Sequence, residues 1–75
     1  MINKNIIHFT EHAKKQMSKR RIKEDDVLIT LNYPDHYEKG THSNEIIAIK
    51  YFNGKRIRVI YISEPNEIRI ITVTH

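Results

Sequence analysis

Residues 45–64 read EIIAIKYFNGKRIRVIYISE, two runs rich in isoleucine and valine on either side of Asn53-Gly54. β-branched and aromatic side chains suit the pleated surface of a sheet. An Asn-Gly pair is the strongest short hairpin signal, because a type I′ turn needs positive φ at both central residues. The stretch therefore predicts two antiparallel strands, Glu45–Phe52 and Lys55–Glu64, joined by a two-residue loop. Paired positions across such a loop keep a constant sum, so Phe52 faces Lys55, Tyr51 faces Arg56 and Ile49 faces Arg58. Glu64-Pro65-Asn66-Glu67 carries the next turn signal, and residues 68–75 then form a third strand of a meander. Centring that turn on Pro65-Asn66 sets Arg58 opposite Val73, Arg56 opposite His75, Val59 opposite Thr72 and Tyr61 opposite Ile70. His36–Lys39 and residues 6–8 are candidates for further short strands.

This register sorts the side chains onto two faces. One collects Ile46, Ala48, Phe52, Ile57, Val59, Tyr61, Ile70, Thr72 and Thr74, with Lys50 and Lys55 as its charges, and is expected to be the core face. The other collects Ile47, Ile49, Ile60, Ile71 and Val73, with Tyr51, Arg56, Arg58 and His75 gathered near the first hairpin. Planar guanidinium forks match phosphate oxygens, and imidazole is the side chain that exchanges protons near neutral pH. Together they form a candidate site for holding and cleaving a phosphodiester. The competing explanation is a solvated sheet edge with a frayed terminal histidine.

Upstream of residue 35 the apolar period is helical. Thr10 is a candidate N-cap with Glu11 in the first turn, and Phe9, Ala13, Met17 and Arg20 recur at helical spacing up to Lys19, Arg20 and Arg21. A second helix is expected from about Lys23, where Glu24, Asp25 and Asp26 crowd the positive N-terminal end and Val27, Leu28 and Leu31 make an apolar stripe. Tyr33-Pro34 ends it, since the residue before proline is pushed out of the α region. The expected fold is thus α+β, a single domain over residues 1–75, with two N-terminal helices packed on an antiparallel meander of three to four strands. His12 falls beside Gln16 and Arg20 at the border of the apolar helix face, where a half-buried histidine often serves structure by bonding a loop carbonyl.

The chain has 13 Lys and Arg against 9 Asp and Glu, for a net charge of +4. Residues 12–23 hold Lys14, Lys15, Lys19, Arg20, Arg21 and Lys23 and no acid. Such a run suits a polyanion such as RNA, although a solvated helix face also accounts for it. With no cysteine, disulfides and thiolate zinc sites are excluded. Residues 1–9 lack the apolar core of a signal peptide, and an unbroken apolar run such as Val59-Ile60-Tyr61-Ile62 is far short of a membrane span. These features lead to the expectation of a cytoplasmic protein with no membrane partner. His8, His12, His36, His42 and His75 show no metal-ligand spacing, so neither a metal nor another cofactor is expected.

The run Phe9-Thr10-Glu11-His12-Ala13, with Met17, Arg20, Ile22, Val27, Leu31 and Pro34, resembles a small bacterial domain-of-unknown-function family that opens T-x-H-A-x-x-R-M-x-x-R-G-I. The closing stretches Ile57-Arg58-Val59-Ile60-Tyr61 and Ile70-Ile71-Thr72-Val73 resemble that family's last strands. Two positions depart from the opening pattern: Gln16 stands in place of Arg, and Arg21 in place of Gly. The order of elements is similar to BrnT-like toxins and, more distantly, to the RelE and ParE toxin superfamily. The resemblance implies a microbial ribonuclease fold, a sheet backed by two helices. It also implies a metal-independent endoribonuclease toxin in which an RNA 2′-hydroxyl attacks the adjacent phosphate. Such chemistry needs a proton acceptor, a proton donor and cations around the developing charge. Under this reading His12 or His75 transfers protons, Arg56 and Arg58 hold the phosphate, and Tyr51 orients or stacks a base. Lys15, Lys19, Arg20 and Arg21 position the RNA backbone. RNA, free or on the ribosome, is then the substrate, and the implied protein partners are a cognate antitoxin and a second copy of the chain. The rival reading is a non-catalytic module that binds RNA or inhibits a protein target.

Overall fold

The computed structural model describes residues 6–42 and 44–75, so residues 1–5 of the expected 1–75 domain, and residue 43, lie outside the description. Its elements run β1 (Ile7–Phe9), α1 (Glu11–Arg20), α2 (Glu24–Asn32), β2 (His36–Lys39), β3 (Glu45–Phe52), β4 (Lys55–Glu64) and β5 (Glu67–Thr74). Neither helix is long and apolar enough to cross a membrane.

α1 starts where Thr10 Oγ1 accepts the Ala13 N–H at 3.2 Å, satisfying one of the donors a helix leaves open at its first turn. It ends in a Schellman turn. The Ile22 N–H donates to the Met17 carbonyl at 2.9 Å and the Arg21 N–H to the Ser18 carbonyl at 3.3 Å, while Arg21 takes φ 56°. Met17 and Ile22, the apolar pair such a turn brings together, are both buried. α2 follows at once. Its first turn holds Glu24, Asp25 and Asp26, and Asp26 Oδ2 accepts the Lys23 N–H at 3.4 Å.

The sheet has five strands in the order β1-β5-β4-β3-β2, where three to four were expected. β3, β4 and β5 form the anticipated meander and β2 extends it, but β1 runs parallel to β5 at the far edge. A parallel neighbour needs a crossover connection, and the segment from α1 to β4 supplies it. Asn53 at φ 44° and Gly54 at φ 83° make the hairpin turn that their sequence demands. Every pair between β3 and β4 falls as the turn dictates, from Phe52↔Lys55 to Glu45↔Ile62.

β5 departs from its expected register. Near the turn Tyr61 faces Ile70, as anticipated, but a bulge follows and the pairs become Ile60↔Thr72, Val59↔Val73 and Arg58↔Thr74. Arg58 therefore faces Thr74, not Val73, and Val59 faces Val73, not Thr72. Arg56 has no ladder partner, because His75 lies beyond β5. The face assignments of β5 change with it: Val73, expected outside, is fully buried in the core, and Thr72 and Thr74 join Ile60 and Arg58 on the other face. An extra residue flips every later side chain, and nothing in the Glu64-Pro65-Asn66-Glu67 turn signals it.

Both helices lie on one face of the sheet. Ala13, Met17, Ile22, Val27 and Leu31 pack there against Ala48, Ile57, Val59, Tyr61, Ile68, Ile70 and Val73, each large aliphatic contributing about 1.5–3 kcal/mol on burial. The opposite face carries no other element among the described residues.

Candidate nucleic-acid interface on the open sheet face

Strand alternation builds the site. Ile57 and Val59 are buried under the helices, so Arg56 and Arg58 between them project from the opposite face. On β3 the pairing with β4 puts Ala48 under the helices and Ile47, Ile49 and Tyr51 on the opposite face, where Ile47 and Ile49 are themselves buried and Tyr51 is exposed. Ile49 pairs with Arg58 on one side and His36 on the other, while Tyr51 pairs with Arg56. His36 and Tyr51 meet edge to face, with ring centroids 6.3 Å apart and planes at 84°.

Asp35 fixes this corner. Its Oδ2 accepts the Tyr51 N–H at 2.8 Å, its own N–H donates to the Ile49 carbonyl at 2.8 Å, and its Oδ1 lies 3.9 Å from Lys50 Nζ. β2 is thereby held against the end of β3, which places His36 beside Tyr51. Across the sheet, Arg56 Nη2 donates to the His75 carbonyl oxygen at 3.3 Å.

The charges on this face are polarised. Arg69 is engaged by Glu64 at 3.4 Å and Glu67 at 3.9 Å near the β4–β5 turn. Among the described residues no side-chain carboxylate pairs with Arg56 or Arg58. Two guanidiniums with no side-chain carboxylate partner, a phenol and an imidazole thus occupy the end of the sheet next to the β3–β4 hairpin, a donor set that fits a phosphate and an adjacent ring.

The residues singled out from sequence divide into two groups. Tyr51, Arg56 and Arg58 come together as expected. His75 contributes its carbonyl to Arg56 but stands past the ladder, and Thr74 takes the place beside Arg58. His12, expected at a half-buried border, is exposed in the first turn of α1. It lies on the helix layer, across the sheet from the arginines, so it does not share their face. Lys15, Lys19, Arg20 and Arg21 are exposed on that same layer. His36 joins Tyr51, Arg56 and Arg58 through the β2–β3 pairing, which no tight-turn signal between residues 40 and 44 specifies. Gln16, at the border of the apolar face of α1, turns its Oε1 to β5 and accepts the Val73 N–H at 2.9 Å.

The fold and this face define a small α+β domain with a two-helix layer on one side of a mixed sheet and an arginine-bearing face on the other. A family model described as a domain of unknown function (DUF4258) matches residues 9–75, and the chain belongs to that family. No curated protein and no solved structure matches it.

Proposed function

We propose that the protein is a metal-independent endoribonuclease, the toxin of a toxin–antitoxin module, and that its open sheet face holds the RNA. The observation that carries this reading is the placing of Arg56 and Arg58, with no side-chain carboxylate paired to either, together with Tyr51 and His36 at one end of that face. The likeness of the element order to BrnT-like and RelE-type toxins points the same way. Arg56 and Arg58 hold the non-bridging oxygens of the scissile phosphate. His36, better placed than His12 or His75, takes the proton of the 2′-hydroxyl as O2′ bonds to phosphorus. The P–O5′ bond breaks, and the departing oxygen takes a proton from the Tyr51 phenol, which solvent restores. The products are a 2′,3′-cyclic phosphate and a 5′-hydroxyl. Lys15, Lys19, Arg20 and Arg21 serve a separate, weaker contact to RNA outside the site, and an antitoxin silences the toxin.

The test is induction in a bacterial host with sequencing of RNA ends, alongside cleavage of RNA by purified protein, with and without ribosomes, in the presence of a chelator. Arg58→Ala and His36→Ala should each lower cleavage by roughly a hundred-fold or more, Tyr51→Phe should lower cleavage while sparing binding, and His12→Ala should cleave normally. Growth arrest without new RNA ends, undiminished in Arg58→Ala, refutes the nuclease and leaves the interaction module as the reading.

A further inference from the structure

β1 pairs with β5 only as far as Phe9↔Ile70. There the chain turns into α1, and the outer edge of β5 loses its neighbour just where the bulge begins. Unpaired backbone groups at a sheet edge are costly when screened from water, yet in this stretch they are met one after another. The Thr10 N–H donates to the Ile70 carbonyl at 3.1 Å, the Thr10 hydroxyl to the Ile71 carbonyl at 3.3 Å, and the Val73 N–H to Gln16 Oε1 at 2.9 Å. The Thr10 backbone and the side chains of Thr10 and Gln16 thus replace the strand that β1 ceases to be.

We propose that Gln16 is a positioning residue for the arginine face: by accepting the Val73 N–H it locks the β5 bulge and so decides which β5 residues stand beside Arg58 and Arg56. The bulge has two consequences. It draws Val73 into the core and turns Thr74 to Arg58, so that the arginine has a hydroxyl for a neighbour instead of an isopropyl group. It also shifts His75 one position out of line with Arg56, whose Nη2 donates to the His75 backbone oxygen. In the regular register Val73 would stand on the open face and His75 would pair directly with Arg56. The sequence permits both registers, since Ile70, Ile71 and Val73 are all apolar and Thr72 and Thr74 both tolerate either face. Gln16 is the group that tells them apart. It touches neither arginine and acts only through the backbone of β5.

The register part of this inference stands on its own, and its consequence for RNA rests on the function proposed above. The two are separated by measuring them separately. NMR of the free protein reads the register from cross-strand contacts of the Arg58 α-proton, to residue 74 in the bulged form and to residue 73 in the regular form, and from hydrogen exchange at the Val73 amide. Binding is read with a single-stranded RNA oligonucleotide over a salt series. Gln16→Glu keeps an acceptor at the same reach and should retain the Arg58–Thr74 contact, the protected amide and RNA affinity. Gln16→Leu, and Gln16→Asn as a milder variant that withdraws the acceptor by one methylene, should lose Val73 protection by roughly tenfold or more. RNA affinity should fall by about tenfold, the worth of one charge-assisted contact. The logarithmic salt slope should shrink by about 0.7, equivalent to one phosphate on a single strand. An unchanged register and amide in Gln16→Leu and Gln16→Asn, or equal damage in Gln16→Glu, overturns the positioning role whatever RNA does. Altered register with unaltered RNA binding overturns the link to the site and leaves Gln16 as a determinant of β5 alone.

Discussion

Arg21 occupies a conformation that its side chain disfavours, and replacing it should stabilise the protein. At φ 56° and ψ 44° it is the left-handed residue of the α1 Schellman turn, the place where glycine is preferred because it has no Cβ to crowd the carbonyl. The left-handed state costs a residue with a Cβ about 1–2 kcal/mol, and glycine returns about 0.5–1 kcal/mol of that through its freer unfolded chain. The balance favours Arg21→Gly by about 0.5–1 kcal/mol. The guanidinium is exposed and has no ion pair among the described residues, but a cation at a helix C-terminus contributes through the dipole. Arg21→Ala is therefore the reference, since it removes the same charge and keeps the Cβ. In urea, with a slope near 1 kcal/mol/M for a chain of this size, the glycine midpoint should exceed the alanine midpoint by about 0.5–1 M. In a thermal melt the gap should be about 2–6 °C. Coincident midpoints, or a glycine variant below the alanine one, would refute a left-handed Arg21 and with it the turn that sends Ile22 into the core.

Two further perturbations probe the frame. The Tyr61 phenol is pushed up from 10.0 to about 12, first by burial and then by the charge and hydrogen bond of Tyr37; the Tyr37 hydroxyl donates to the Leu31 carbonyl at 3.3 Å, so Tyr61 is the donor to Tyr37. The folded state thus holds this proton more tightly than the unfolded chain, and stability should be intact below about pH 10 and fall by up to about 3 kcal/mol as pH rises toward 12, a slope in urea midpoints that Tyr61→Phe should flatten. A Cβ at Gly40 would run into the Cβ of Glu45, whose carbonyl accepts the Gly40 N–H at 2.9 Å. Gly40→Ala should then cost about 1–3 kcal/mol in a thermal melt, and an unchanged midpoint would refute the close approach of Gly40 to Glu45.

What could be read from the chain follows from where its signals are local. Asn53-Gly54 specifies a turn within two residues, and all eight β3–β4 pairs follow from it. Thr10 and the acidic start of α2 are likewise caps that act within one helical turn, so both helices are legible. The parallel β1 and the β5 bulge are long-range features. Thr10 and Gln16 meet β5 across 61 and 57 residues of sequence, and no turn chemistry encodes such a meeting. The place of His36 is not legible for a related reason, since its side of β2 follows only once the partner Ile49 is known. The face of Arg56 and Arg58 was legible because it depends on the Asn-Gly turn alone; the company they keep on β5 was not.

The distribution of side-chain hydrogen bonds gives a further reason to look for function at that end of the sheet. Among the described residues, the hydrogen bonds between a side chain and the backbone that span more than fifteen positions are four: Thr10 to Ile71, Gln16 to Val73, Asp35 to Tyr51 and Arg56 to His75. All four fasten the C-terminal parts of β3 and β5 and the N-terminal part of β4, the strand segments that carry Tyr51, Arg56, Arg58 and Thr74. At the other end, near the β4–β5 turn, the contacts of Arg69 with Glu64 and Glu67 are short in sequence and half-exposed, the kind of pair worth little to stability. Apolar burial is supplied by the core beneath the helices, where Val59 and Ile70 are fully enclosed, and it constrains both ends through the same strands. Register and strand ends at an open sheet face are weakly specified by burial alone, so fixing them takes directed polar contacts. Their concentration at the arginine end is what a preorganised binding surface requires, whereas solubility would be served by cations placed anywhere on the face.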